Sequence, residues 1–89
     1  MSADCQSWFI YIIECADGTL YTGVTTDVQR RLHEHNHCNK KAAKYTRARR
    51  PVILKHSEAH PSKTAAYQRE WQIKQLNKQR KQQLFAHAN

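Results

Sequence analysis

A run of basic residues without any acid is the feature of this sequence best suited to binding a charged ligand. Between Glu34 and Glu58 there are seven lysines and arginines and no aspartate or glutamate. Arginine can bind phosphate through two parallel hydrogen bonds, and a tyrosine ring can stack on a nucleobase. A solvated basic loop has the same composition. We favour a nucleic-acid surface, formed by Lys44, Tyr45, Arg47, Arg49 and Arg50.

A group of histidines beside a cysteine raises the question of a zinc site. His33, His35, His37 and Cys38 lie close together in the sequence. On a helix only His33 and His37 share a face, and no second pair of ligands has zinc-finger spacing, so we do not expect zinc here. His35 instead lies four residues after Arg31, on the same helix face, where it could contact phosphate or relay a proton.

The composition limits the kind of protein this can be. A chain of 89 residues is expected to form one domain with a modest core, too small to enclose a large cofactor. The net charge of +8 and the pI near 9.8 favour a polyanionic partner. No apolar run approaches the roughly 20 residues that cross a bilayer, and nothing indicates an obligate protein partner.

The cysteines and the first residues predict a cytoplasmic protein. Met1–Ser7 has neither the basic segment nor the apolar segment of a secretion signal. Cys5, Cys15 and Cys38 are odd in number and have no motif spacing. We therefore expect free thiols in a reducing compartment.

The elements that position these residues begin with a predicted β-hairpin. Ser7–Cys15 is an almost unbroken apolar strand, which indicates a central strand covered on both faces, and Thr19–Thr25 is the second strand. The turn Ala16–Gly18 leaves two registers open. A two-residue loop would point Tyr11 and Tyr21 to opposite faces, whereas a three-residue loop with a left-handed glycine would place them on one face.

Helices and one more strand are predicted after the hairpin. In chain order they are a helix capped by Thr26 or Asp27 and running to about Asn36, a short helix around Lys40 to Tyr45, a strand over Pro51 to Ser57, a helix from Pro61-Ser62 to about Asn77 with Ser62 or Thr64 as cap, and a helix over Lys78 to Ala86. The order β-β-α-α-β-α-α predicts an α/β fold in which helices flank a small three-stranded sheet.

Short motifs on these elements resemble the GIY-YIG nuclease superfamily. Phe9-Ile10-Tyr11 and Tyr21-Thr22-Gly23, one on each strand of the hairpin, are similar to the GIY and YIG motifs. Arg31 lies on the next helix, where the family has its catalytic arginine, and Glu70 lies on the helix after the third strand, where the family has its metal-binding glutamate. The segment from Ala43 to Val52 is similar to small stand-alone bacterial members of the family.

Three positions depart from the family pattern. Phe9 replaces the glycine of GIY, and Thr22 replaces the isoleucine of YIG. Both changes leave the two tyrosines and Gly23 in place. Val24 stands where the repair branch often has a lysine, which leaves more of the stabilisation of charge to Arg31.

The resemblance implies an endonuclease that hydrolyses DNA phosphodiester bonds with one divalent ion, Mg²⁺ or Mn²⁺, in DNA repair or recombination. It implies that Glu70 binds the metal, that Arg31 holds the scissile phosphate, and that two tyrosines orient or deprotonate the attacking water. We expect both tyrosines on one face, and leave open which of them is the base. With the histidine that shares the face of Arg31, the expected catalytic residues are Tyr11, Tyr21, Arg31, His35 and Glu70.

Two other functions fit part of this pattern. A nucleic-acid-binding module without catalysis would use the basic run and its aromatic residues alone. An adaptor could dock the same basic surface on an acidic protein. Glu70 separates these alternatives from a nuclease, because phosphate binding gains nothing from a nearby carboxylate whereas metal-dependent hydrolysis requires one.

Overall fold

Residues 7–86, which the computed structural model describes, form one antiparallel sheet of order β2-β1-β3 with four helices. In chain order the elements are β1 (Trp8–Glu14), β2 (Leu20–Thr25), α1 (Val28–His37), α2 (Lys44–Arg47), β3 (Ile53–His60), α3 (Lys63–Lys74) and α4 (Lys78–Ala86). The predicted α/β fold and element order are confirmed, and β1 is the central strand as predicted. Cys5 and nearly all of the segment considered as a secretion signal lie outside the described residues.

The hairpin has the three-residue loop. The amide of Cys15 donates to the carbonyl of Thr19 at 2.8 Å, and the amide of Gly18 donates to the carbonyl of Cys15 at 2.9 Å. Gly18 has a φ of 86°, a left-handed conformation that glycine adopts without steric cost. In this register Tyr11 lies opposite Gly23 and Ile13 lies opposite Tyr21. The two tyrosines therefore share one face of the sheet, because residues two apart on a strand point the same way.

Both faces of β1 are covered by helices. Ile10 and Ile12 pack with Ala66 and Ile73 of α3 on one face. Tyr11 and Ile13 belong to a second cluster on the other face, with Cys15 and Val52, against which Val28 and Leu32 of α1 pack. This double burial explains the unbroken apolar sequence of β1, and it places Tyr11 on the face covered by α1.

Two helices begin where their capping residues predict. Oδ1 of Asp27 accepts from the amide of Arg30 at 3.0 Å, and Oγ of Ser62 accepts from the amide of Ala65 at 3.1 Å. Each side chain satisfies one of the amides that have no partner inside the helix. Within the described part of the chain, no helix is both long and apolar enough to span a membrane.

Three predicted boundaries are wrong. β3 begins at Ile53 and extends to His60 rather than Ser57, because its last residues pair with β1 although they are mostly polar. α2 spans Lys44–Arg47 rather than the stretch around Lys40 to Tyr45. α3 ends at Lys74, and Asn77 instead accepts a hydrogen bond from the amide of Arg80 at the start of α4.

Candidate active site

Tyr11 and Gly23 fit together across the hairpin. A Cβ atom placed on Gly23 would lie 2.5 Å from Cζ of Tyr11 and closer still to its Oη, far inside any normal contact. Only glycine therefore lets the Tyr11 ring lie across β2. The ring is almost completely buried, with 3% of its surface exposed. Gly23 of the YIG-like motif therefore leaves room for the ring of Tyr11 from the GIY-like motif.

A chain of buried hydrogen bonds begins at the Tyr11 hydroxyl. Oη of Tyr11 lies 2.9 Å from Nε2 of His35 on α1. Nδ1 of His35 lies 2.8 Å from Oγ1 of Thr46 on α2. The Thr46 hydroxyl donates to the carbonyl of Ala43 at 3.0 Å. His35 and Thr46 are both fully buried, so no water competes for these groups.

The protons in this chain can be assigned from the last bond backwards. A hydroxyl has one hydrogen, and that of Thr46 is directed to the Ala43 carbonyl. With its hydrogen on Ala43, Thr46 accepts from His35, an arrangement that assigns the proton of the neutral ring to Nδ1. Nε2 is then a bare acceptor, and the Tyr11 hydroxyl donates to it. This arrangement leaves the lone pairs of Tyr11 Oη available to a second donor.

The pKa values agree with this assignment. Burial, assisted by the positive charge of Arg31, lowers the pKa of His35 from 6.5 to about 4, so the ring is neutral near pH 7. Burial also raises the pKa of Tyr11 from 10.0 to about 12, partly opposed by Arg31 and reinforced by Tyr21 and Glu70. Tyr11 therefore keeps its proton, and both groups stay in the forms that the hydrogen bonds require.

Tyr21 lies beside the same histidine. Its ring meets His35 edge-on with 5.5 Å between the ring centroids, and the Tyr11 ring is 5.8 Å from His35. Tyr21 also stacks on Tyr45 of α2 at 6.0 Å, with the two planes 23° apart. The two tyrosines thus contact one imidazole, and of these two it is Tyr11 that forms a hydrogen bond to it.

Arg31 is held in place next to Tyr11. Its Nη1 donates to Oε1 of Glu34 at 3.0 Å and to the carbonyl of Lys41 at 2.6 Å. The side chain is 24% exposed. Neither of these bonds uses the edge formed by Nε and Nη2, which is the edge that binds a phosphate with two parallel hydrogen bonds. A side-chain hydrogen bond from Arg31 also lowers the pKa of Tyr11, so the protein positions the guanidinium beside that hydroxyl, where its charge can attract an anion.

Glu70 lies within electrostatic reach of Tyr11, since its charge raises the pKa of that hydroxyl. The carboxylate is 18% exposed and pairs with Nζ of Lys74 at 3.3 Å, as the spacing of four residues predicts. No group of three histidine, cysteine or acidic side chains within residues 7–86 could hold a metal alone. Magnesium commonly binds one or two carboxylates, several waters and substrate phosphate, and a single glutamate fits that pattern.

The arginines predicted to contact nucleic acid also bind the protein itself. Nε of Arg49 donates to Oδ2 of Asp17 at 3.1 Å, and its guanidinium lies 3.9 Å from the centre of the Tyr45 ring. Nε of Arg50 donates to the carbonyl of His35 at 2.7 Å. Nη1 of Arg47 donates to the carbonyl of Asn39 at 2.9 Å. Arg49 and Arg50 thus hold the segment around α2 against the turn and α1.

The other two residues predicted to contact nucleic acid are Lys44 and Tyr45. Lys44 is exposed at the start of α2. Tyr45 is 37% exposed, and its ring already contacts Tyr21 and Arg49. Among the histidines of α1, His33 and His37 pack together with 4.7 Å between their ring centroids, while His35 points into the core.

Two residues important to the site were not found by sequence analysis. Thr46 orients His35, and Asn36 joins α1 to the chain before β3 through two bonds, from its Nδ2 to the Val52 carbonyl at 3.1 Å and from the Val52 amide to its Oδ1 at 2.8 Å. A threonine inside a basic segment gives no sign of burial. A threonine hydroxyl in a helical turn can bond the backbone carbonyl three residues earlier, here that of Ala43, and this local bond was the signal that the sequence offered for an inward-facing Thr46.

Comparison with known proteins is consistent with this geometry. The family model described as the GIY-YIG catalytic domain matches residues 7–83. A UPF0213 protein of Halobacterium salinarum is 57% identical over 76 residues, covering 85% of this chain and 96% of the relative. A UPF0213 protein of Desulfotalea psychrophila is 52% identical over 81 residues, covering 91% of this chain and 73% of the relative.

Two solution NMR structures have the same fold. The UPF0213 protein BH0048 of Bacillus halodurans is 45% identical and superposes with a TM-score of 0.57 over 90% of this chain and 83% of that protein. The protein EF2693 of E. faecalis is 41% identical, with a TM-score of 0.59 over 88% of this chain and 82% of that protein.

Proposed function

This chain belongs to the GIY-YIG family, and we propose that it is an endonuclease that hydrolyses DNA phosphodiester bonds with the help of one divalent metal ion. The observation that supports this most strongly is the buried chain from Ala43 through Thr46 and His35 to Tyr11, next to Arg31. Binding of nucleic acid alone gives no reason to fix a tyrosine hydroxyl as a hydrogen-bond donor to a neutral histidine. Acid-base chemistry at a phosphate gives one, because it needs a positioned group that can take up a proton.

Tyr11 is the tyrosine that handles the attacking water in this proposal. Its hydroxyl donates to Nε2 of His35, so a lone pair of Oη can accept a hydrogen bond from the water. As the water attacks phosphorus, its proton moves to Oη and the Tyr11 proton moves to Nε2. His35 is thus the final acceptor, and Tyr11 never has to ionise despite its raised pKa. Tyr21 packs on His35 and limits the space in which substrate and water are positioned.

Arg31 stabilises the negative charge that develops on the phosphoryl oxygens. Glu34 and the Lys41 carbonyl fix its Nη1, so little reorganisation is needed when the charge appears. The same positive charge lowers the pKa of His35 and so limits the accumulation of imidazolium. Once the bond is broken, Nε2 of His35 therefore returns the proton to Tyr11, and Oη of Tyr11 releases the proton taken from the water to solvent.

Glu70 is the residue that would hold Mg²⁺ or Mn²⁺. When bound, the ion would supply positive charge to the phosphate and to the leaving oxygen. Lys74 must leave the carboxylate first, which its flexible and half-exposed side chain permits. The net charge of +8 and the exposed residues Lys44 and Arg47 would attract the DNA backbone. Repair or recombination in the cytoplasm fits these features, as do the free thiols of Cys15 and Cys38.

The deciding experiment compares cleavage and binding of labelled DNA for wild type and Glu70→Gln, with Mg²⁺ or with chelator. Gln keeps the shape and helix propensity of Glu, so the fold should be retained. DNA binding should stay equal or tighten because one negative charge is lost, whereas cleavage should nearly vanish. Glu58→Gln removes a carboxylate that Arg69 holds on β3 and serves as the matched control, with cleavage retained.

Each alternative result has a definite meaning. Cleavage by Glu70→Gln at the wild-type rate would remove Glu70 as metal ligand. Cleavage by wild type in chelator would remove the metal. Binding by wild type without cleavage of duplex, single-stranded, flap or branched DNA would favour the non-catalytic module.

A further inference from the structure

Within the described residues, Thr46 is the partner of Nδ1 of His35, as Tyr11 is of Nε2, and it lies on a different element from the histidine. It belongs to α2, while His35 belongs to α1, eleven residues earlier in the chain. Both side chains are fully buried, and the Thr46 hydroxyl is committed to the Ala43 carbonyl at 3.0 Å. The short helix α2 thus presents a lone pair, and not a proton, to Nδ1 of His35.

We propose that Thr46 is a positioning residue for catalysis, which acts by fixing the proton of His35 on Nδ1 and so making Nε2 an acceptor for the Tyr11 hydroxyl. The inference deepens the proposed nuclease function and rests on it. Thr46 contacts neither water nor phosphate in this proposal. It decides, through His35, in which direction the Tyr11 hydroxyl points.

The opposite tautomer would disable the same set of atoms. With the proton on Nε2, His35 would donate to Oη of Tyr11, and the Tyr11 hydrogen would turn towards the position of the attacking water. Tyr11 would then be a donor to that water and could not take its proton. Since the two tautomers of a free imidazole have similar energies, one buried hydrogen bond is enough to select between them.

The charged groups around His35 do not, on balance, favour its protonated form. Arg31 and Arg50 contribute positive charge near the ring, and Glu34 on the same helix contributes a negative charge that opposes them. Arg50 also binds the backbone carbonyl of His35 at 2.7 Å. Tyr21 packs against the ring edge and adds no charge while protonated. The neutral state therefore does not depend on Thr46, which selects the tautomer alone.

The chain offers a matched control for loss of a buried threonine hydroxyl. Thr22 is 3% exposed, and its Oγ1 has no hydrogen-bond partner in the part of the chain that the structure describes. It pairs with Ile12 on β1 and so faces α3, on the opposite side of the sheet from His35. Thr22→Val and Thr46→Val make the same chemical change at two buried sites, and only the second touches the hydrogen-bond chain.

The primary test is nitrogen NMR of histidine-labelled protein near pH 7, which distinguishes a protonated ring nitrogen from a bare one and needs no catalysis. Wild type, Thr46→Ser and Thr22→Val should all show His35 protonated on Nδ1. Thr46→Val should shift the population towards the proton on Nε2. A wild-type spectrum with the proton on Nε2 would overturn the proposal, even if no Thr46 variant folds.

The second readout is DNA cleavage by the same proteins with Mg²⁺. Thr46→Val should lose about tenfold or more of the cleavage rate while binding DNA normally in chelator, Thr46→Ser should recover most of the rate, and Thr22→Val should match wild type. Equal rates for Thr46→Val and wild type would overturn the proposal. If wild type does not cleave any DNA, the nuclease function fails, while the NMR result still reports whether Thr46 sets the tautomer.

Discussion

At the scale of single residues, the site depends on side chains whose surroundings decide their chemical form. Tyr11 is a fixed donor because Gly23 gives it room and His35 gives it an acceptor. Glu70 is paired with Lys74, and in the proposed function it would bind a metal only after the ammonium group has left its carboxylate. Each residue type was visible in the sequence, and so was the spacing of Glu70 and Lys74, but the fit of Tyr11 against Gly23 and its hydrogen bond to His35 were not.

Replacing Lys74 with alanine should make the metal bind more tightly. The ammonium group lies 3.3 Å from the Glu70 carboxylate and competes with a cation for it. An exposed ion pair contributes up to about 1 kcal/mol, so the Mg²⁺ concentration for half-maximal cleavage should fall by roughly two- to fivefold. Cleavage measured across a series of Mg²⁺ concentrations gives this value.

The control for that change is Lys55→Ala. Nζ of Lys55 lies 3.7 Å from the carboxylate of Glu14 on the sheet. Its replacement by alanine therefore removes the same charge from a similar ion pair. Its metal requirement should not change beyond the small effect of net charge. A higher Mg²⁺ requirement in Lys74→Ala would mean that Lys74 supports the metal site rather than competing with it.

At the scale of elements, α2 contributes both to the interior and to the surface. Thr46 points into the site, while Lys44 and Arg47 lie exposed. Arg49 and Arg50, just after the helix, bind Asp17 and the His35 carbonyl. The segment that looked like a uniform basic surface in the sequence is therefore divided between structural and exposed cations.

The exposed cations of α2 should determine much of the salt dependence of DNA binding. In Lys44→Ala with Arg47→Ala, the slope of log affinity against log salt should flatten by roughly two, because about one counterion is released for each phosphate contact. A salt titration of binding in chelator measures the slope. The matched double change Lys78→Ala with Lys81→Ala on α4 should leave it nearly the same.

An unchanged slope in the α2 variant would place the DNA on another face. Replacement of Arg49 or Arg50 would be less informative, because both changes also remove contacts that hold the segment in place. A loss of affinity in those variants could not be separated from a loss of structure.

The elements could be predicted because their signals are local. The apolar run of β1, the cap at Asp27 and the cap at Ser62 each act within a few residues. The run was identified, and each cap was one of two candidates that the sequence offered. The end of β3 was missed because Glu58 and His60 are polar, and the contacts that hold this part of the strand, pairing with β1 and the hydrogen bond from Arg69 to Glu58, come from other elements. Thr46 was missed for the same reason, since its partner lies on another helix.

At the scale of the whole molecule, stability should fall on mild acidification because of His35. Its pKa is about 4 in the folded protein and near 6.5 when unfolded, so between these values the unfolded state binds more protons. The contribution is complete above pH 6.5 and is lost as the pH falls towards 4, by roughly 3 kcal/mol at most. Denaturant unfolding at several pH values measures the loss.

The carboxylate of Glu58 allows the effect of His35 on stability to be separated from general acid denaturation. The pKa of Glu58 is lowered to about 2, chiefly by hydrogen bonds from Arg69, so its contribution is lost only as the pH falls from about 4.5 towards 2. Glu58→Gln should therefore keep the decline between pH 6.5 and 4. A wild-type protein whose stability is flat over that range would show that His35 is not buried in its neutral form.

The three-residue turn also constrains which lengths this hairpin can have. Side chains on a strand alternate between faces, so a slip of the β1–β2 pairing by one residue would turn Tyr21 to the α3 side. A slip by two would keep Tyr21 on its face but would replace Gly23 opposite Tyr11 by a residue with a Cβ atom, for which there is no room. Insertions and deletions in this loop should therefore be tolerated only where the loop absorbs them and the pairing of β1 with β2 is unchanged.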